Sequence, residues 1–187
     1  VQNFVVTGGA RDGISVRGKN VTVQNCSIYG ITESTGDLNG ITFFGDDFKM
    51  LYNEIGVDGL LLSGSRGSAH VDAVQTWNND PGEQSARVQI IGNKIVGPAS
   101  SNQAYISQGV MAQGKGATDG GGGGTGESFG WLICDNEFAH SSFNQIIKLD
   151  DVNDSDIARN IFSGASGRVV HDTSLSEGNT FWSSNQI

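Results

Sequence analysis

His70 and Asp72 stand two residues apart in the segment His70-Val71-Asp72-Ala73-Val74-Gln75-Thr76-Trp77. Imidazole titrates near ~6.5, so His70 is suited to take or give a proton around neutral pH. Lys148 and Asp150 form a second charged pair, suited to bind carboxylate or hydroxyl groups. Phe44 and Trp77 offer aromatic faces on which an apolar ring face can stack. Gln75, Gln108 and Gln113 add amides, Tyr105 a weak acid and Lys115 a second ammonium. Nothing in their spacing alone unites groups spread from Phe44 to Asp150. A repetitive backbone has to do it.

Such a repeat is present: an extended segment, a polar turn, an Asn, one residue, then Ile or Phe. Its copies are Met50 to Ile55, Ile90 to Ile95, Ile133 to Phe138, Ile157 to Phe162 and a weaker Gly178-Asn179-Thr180-Phe181. An earlier copy, Val21 to Ile28, carries Cys26 where the others carry Asn. Between copies lie shorter β-forming segments around Ile14, Ile41, Val74, Val110 and Ile147. No single copy can bury its apolar side, so the expected solution is a solenoid whose equivalent strands stack about 4.8 Å apart, with the Asn side chains laddered at a bend.

Aligning the short segments on their inward apolar residues gives an outward column Ser15, Thr42, Gln75, Met111 and Lys148. A second outward column, two residues on, is Arg17, Phe44, Trp77, Gln113 and Asp150. Together they predict one continuous exposed ridge. Asp72 falls in a third column with Asp12, Asn39, Gln108 and Gln145, which reads as a repeated corner hydrogen bond, whereas His70 has no counterpart in other coils. Cys26 and Cys134 lie three coil rises apart on this alignment, beyond the ~7 Å Cα limit of a disulfide, so both are expected as free thiols.

Composition narrows the class. Twenty-eight glycines and two prolines in 187 residues suit many short extended segments joined by turns; the usual glycine share is only about 7 %. The net charge of −9 makes nucleic acid a poor partner and opposes anionic ligands unless a local cation offsets it. No apolar run reaches the ~18 residues of a membrane span, so membrane insertion is not expected. The glycine-rich stretch 114–126 lacks a phosphate-loop ending and reads as a flexible insertion or a flap beside Trp77. Asp46-Asp47 and Asp150-Asp151 could offer oxygens to Ca²⁺, but no cofactor or metal is required, and the histidines have no zinc pattern.

The segment from His70 to Trp77, followed by Asn93-Lys94-Ile95, Gln108-Gly109-Val110-Met111 and Asn136-Glu137-Phe138, resembles the right-handed parallel β-helix proteins of the pectate-lyase-like superfamily. The likeness is to the subgroup with a His-x-Asp-x-Ile/Val-Gln motif, and it covers residues 10 to 165. Relatives of that group include pectate lyases, alginate epimerases and glycan-processing proteins of phage tails and cell surfaces. The Asp-Pro-His segment typical of the epimerases is absent. The resemblance implies an extracellular, cell-surface or virion protein whose partner is a polysaccharide.

Two chemistries follow. Elimination on a uronate needs a neutralised carboxylate, a base for the C5 proton and an acid for the leaving oxygen, for which Lys148 or Lys115, His70 and Tyr105 are the candidates. Glycoside hydrolysis needs two carboxylates at a set separation, and Asp72 with Asp150, placed two coils or roughly 10 Å apart, is the best pair. The expectation is therefore an all-β, single-domain parallel β-helix over residues 1–187, of about six coils with an Asn ladder. It would process polysaccharide by lyase-like or hydrolase-like chemistry, or else serve as a non-catalytic glycan-binding or structural module. Its uncapped end predicts a longer chain, a homo-oligomer or an assembly that covers it.

Overall fold

Each apolar repeat folds into three short strands rather than two. In the computed structural model, which describes residues 1–8, 11–31, 37–56, 70–97, 108–117, 123–139, 145–164, 168–173 and 175–187, the strands form three six-stranded parallel sheets, and no helix occurs among the described residues. Sheet A contains β3 (Thr22–Gln24), β6 (Lys49–Leu51), β9 (Gln89–Ile91), β13 (Leu132–Cys134), β17 (Asp156–Ala158) and β20 (Thr180–Phe181). Sheet B contains β1 (Val5–Thr7), β4 (Ser27–Tyr29), β7 (Glu54–Ile55), β10 (Lys94–Val96), β14 (Glu137–Ala139) and β18 (Ile161–Ser163). Sheet C, which carries the candidate chemistry, contains β2 (Asp12–Arg17), β5 (Asp37–Phe44), β8 (His70–Thr76), β11 (Gln108–Gln113), β15 (Gln145–Asp150) and β19 (Arg168–Asp172). A small fourth sheet pairs β12 (Ser128–Phe129) with β16 (Val152–Asn153).

From β2 onward the chain visits sheets C, A and B in the same order at every circuit, and each strand lies beside its counterpart from the circuit before. That path is compatible with a solenoid. Its centre is filled by stacked apolar columns: Val23, Met50, Ile90, Ile133 and Ile157 from sheet A, and Ile28, Ile55, Ile95, Phe138 and Phe162 from sheet B. Strands of two or three residues are too short to persist alone, so their stability rests on this shared core and on the ladders between circuits.

The bend between sheets A and B explains the Asn repeat. Asn25, Tyr52, Asp135 and Arg159 take left-handed φ values of 51°, 55°, 58° and 54°, with Gly92 at 67° in the same place, so each circuit turns sharply before the ladder residue. Asn53 Oδ1 accepts the Cys26 N–H, Asn93 Oδ1 that of Asn53, Asn136 Oδ1 that of Asn93, and Asn160 Oδ1 that of Asn136, at 2.8–3.0 Å. Cys26 heads the column as expected, and both cysteines are free and buried. The last member, however, is Asn185, whose Oδ1 accepts the Asn160 N–H at 2.9 Å. Asn179 belongs to a different bend, the one entering sheet A, where it receives the Ser155 N–H. Its Gly-Asn pair resembles the ladder unit because Gly178, at φ 71°, serves a left-handed turn there too.

Sheet C departs from simple alternation, and that departure shapes the site. The column Ile14, Ile41, Val74, Val110 and Ile147 points inward in the expected register. The residues just before it are inward as well: Ala73 and Ile146 lie in the core, and a Cβ on Gly40 would sit 2.8 Å from the Ile55 side chain and 2.6 Å from the Ala73 carbonyl oxygen. Two successive inward residues kink every strand at the same point. The consequence is that Asp72, Gln108 and Gln145 fall on the same outer face as Gln75, Met111 and Lys148.

Candidate functional site

On that outer face lies a cavity of about 520 Å³, within the ~300–1,000 Å³ of small-ligand pockets. Asp37 and His70, each nearly half exposed, stand at one edge, and Trp77, Asn79 and Gln113 stand toward the other. Gln75, Gln108, Met111, Gln145 and Lys148 lie between. The columns read from the sequence hold in register: Gln75 pairs with Met111, Met111 with Lys148, Asp72 with Gln108, and Gln108 with Gln145. What changes is their exposure. Thr42, Gln75, Met111 and Lys148 are all buried, so the expected exposed ridge is instead the floor of a recess.

His70 and Asp72 come together. Nδ1 of His70 lies 3.2 Å from Oδ2 of the fully buried Asp72 and 3.9 Å from Oδ1 of Asp37. Oδ1 of Asp72 accepts the Gln108 N–H at 3.0 Å, so this carboxylate is fixed by the next strand. Asp72 is more than a corner residue. Its hydrogen bond and charge, with Asp37 beyond, raise the His70 pKa above that of free imidazole, against burial and the Lys148 charge. Burial pushes the Asp72 carboxyl above the ordinary carboxylate range, opposed by His70 and the Gln108 N–H.

The sign of the linkage is the same for both groups. Each binds its proton more tightly folded than unfolded, so the stability they contribute falls as pH rises, from 3.8 upward for Asp72 and from 6.5 upward through the raised value for His70. We expect the melting-temperature advantage of the native protein over Asp72→Asn to shrink as pH rises through 6.5 and beyond. An advantage that grows over that range would contradict the pairing.

Several polar atoms of the recess have no protein partner. Oε1 of Gln75 and Oε1 of Gln108 are buried acceptors without a donor, although Nε2 of Gln108 reaches Oε1 of Gln145 at 3.5 Å. Unpaired buried acceptors in a pocket wall are costly unless water or a ligand donates to them.

Other expected site residues lie elsewhere. Phe44 is buried, its ring edge-to-face with Trp77 at a centroid distance of 4.6 Å and covered by the Arg17 guanidinium at 4.4 Å, so it backs Trp77 and offers no face to a ligand. Asp150 is fully buried and accepts the Thr173 hydroxyl at 2.9 Å; it does not line the cavity. It also sits five residues beyond the position level with Asp72, which adds about 16 Å along the strand to the about 10 Å across two strands. The expected separation of roughly 10 Å omitted that offset, and the true one exceeds the ~5–9.5 Å of a hydrolase pair. Lys115 pairs with Glu127 at 3.2 Å, away from the cavity lining. Tyr105 and the centre of the glycine-rich stretch, 118–122, lie outside the described residues.

The acidic doublets are likewise engaged. Asp46 meets Lys19 and the Ala86 N–H, Asp47 meets Arg87, and Asp151 accepts the Gly116 N–H. Among the described residues no group of three or more side chains is arranged to hold a metal, and no helix is long and apolar enough to cross a membrane.

Sequence reasoning missed Asp37, Asn79 and Glu83. Asp37 was accessible to it, since it is level with His70 on the neighbouring strand. Glu83 carried no signal: its buried carboxylate binds Arg17 at 2.7 Å and accepts the N–H groups of Asn79 and Asp80, fixing the turn that follows Trp77. In comparisons with known proteins, the chain matches no family model, no curated protein and no solved structure.

Proposed function

We propose that the chain is a right-handed parallel β-helix that binds a polysaccharide in the recess of sheet C, and that it cleaves the chain by lyase-like elimination. The observation that carries this reading is an imidazole nitrogen 3.2 Å from a buried carboxylate oxygen, at the edge of a polar cavity that also contains a buried ammonium and unpaired amide oxygens. The hydrolase alternative loses its carboxylate pair once Asp150 is buried elsewhere.

With Nδ1 turned to Asp72, the neutral imidazole keeps its proton there and presents Nε2 as the base. Lys148, close enough to lower the His70 pKa, stabilises the negative charge that develops on a uronate carboxylate. Nε2 takes the C5 proton, the C–H electron pair becomes the C4–C5 double bond, and the C4–O bond breaks with its pair going to the leaving oxygen. That oxygen then takes a proton from water or from a protein acid. The net −9 charge repels anionic chains at long range, so Lys148 acts as the local offset.

The test is a substrate panel. Acidic polysaccharides are screened for new absorbance of an unsaturated uronate, and neutral ones for released reducing ends. Unsaturated product supports the reading; reducing ends without unsaturation overturn it in favour of hydrolysis. Saturable binding with no product from any member makes the chain a non-catalytic glycan-binding module.

A further inference from the structure

Resting on that glycan reading, we infer that the bound chain lies along the strands of sheet C, across the stack of circuits, and that Trp77 forms a distal subsite which sets the preferred substrate length.

The shape of the recess gives the direction. Its lining runs from His70 on β8 to Trp77 just past the end of that strand, seven residues or about 20 Å, but spans β5 to β15 across the sheet, about 14 Å. A linear ligand fills such a cavity along its longer dimension. Toward β2 the outer face is closed to it. There Asp12 Oδ1 accepts both the Asn39 amide and the Thr42 hydroxyl, so these polar groups, apart from Asn39 Oδ1, are paired internally. The buried acceptors of Gln75 and Gln108, by contrast, remain for a ligand's hydroxyls.

Trp77 is held for this purpose by contacts outside the recess. Phe44 packs edge-on against its ring and Arg17 covers Phe44. Arg17 is in turn anchored on Glu83, which fixes the turn after Trp77. An indole locked at the far end of the recess from the reacting imidazole binds a sugar several units away from the broken bond. It therefore contributes to long substrates only.

The experiment measures kcat/KM for a length series of oligosaccharides from the active polysaccharide, with the native protein and Trp77→Ala. For the native protein kcat/KM is expected to climb with length and level off only when the chain spans about 20 Å. In Trp77→Ala the long substrates lose about tenfold and the shortest are unchanged. Phe44→Leu, which loosens the indole without removing it, gives a smaller loss of the same kind. A plateau at about 14 Å, or equal losses at all lengths, overturns the inference while leaving the glycan reading intact. Absence of turnover on any substrate is the failure of the lyase reading alone; the length series is then run on binding affinity, where the same pattern is required, and absence of binding to any glycan is the failure of the underlying reading.

Discussion

Replacing His70 with glutamine is expected to lower kcat by about 10²- to 10⁴-fold while glycan affinity changes only a few-fold. The glutamine amide can still donate to Asp72, so the buried carboxylate keeps a neutral partner, but it cannot carry a proton from C5. Alanine is the poorer probe, because it strips the imidazole that lies 3.2 Å from Asp72 Oδ2, a buried oxygen otherwise without a partner among the described residues, and confounds loss of chemistry with loss of stability. A second readout separates a base from a merely structural histidine. As Asp72 raises the His70 pKa, the acidic limb of the kcat/KM profile should lie above 6.5, and Asp72→Asn should move it to lower pH. A His70→Gln variant within threefold of native, or a limb unmoved by Asp72→Asn, would remove His70 from the proposed mechanism.

Much of the scaffold was legible because it is written in columns. The inward series from Ile14 to Ile147 and the outward series through Gln75, Met111 and Lys148 appear in the register that the apolar spacing implies. Repetition supplies the alignment: an error at one circuit would misplace its neighbours. The same logic found the ladder but failed at its last member, where Gly178-Asn179 imitates the unit at another bend and displaces Asn185-Gln186-Ile187, which fits the same Asn-x-Ile pattern.

The site was less legible, for two physical reasons. A pattern of alternation cannot report the shared kink that turns both Ala73 and Val74 inward, and so it could not bring Asp72 onto the outer face. Nor does alternation distinguish an outward residue in solvent from one on the floor of a recess. Phe44 and Asp150 are outward by count yet buried, one under Arg17 and against Trp77, the other hydrogen-bonded to Thr173. Depth depends on what the connecting segments place over the sheet, and those segments carry no repeat.

Asn93→Ala should cost about 3–5 kcal/mol, far more than a surface Asn at a turn. Its Oδ1 accepts from both the backbone and the side chain of Asn53, and its Nδ2 donates to the Met50 and Ile91 carbonyls and to Asn136 Oδ1. Truncation leaves the buried Asn53 N–H without its acceptor and breaks the ladder in its middle, where circuits on both sides depend on it. At about 2–4 °C per kcal/mol for a chain of this size, the melting temperature should drop by about 10 °C. Asn185→Ala, at the exposed end of the same ladder, should cost only about 1 kcal/mol. Asn93→Asp discriminates between shape and hydrogen bonding. It keeps the acceptor and nearly the volume but loses every donor and buries a carboxylate among carbonyl oxygens, so it should be at least as damaging as alanine. If Asn93→Asp melts close to the native protein, the side chain is filling space at the bend and the ladder is not what holds the circuits in line.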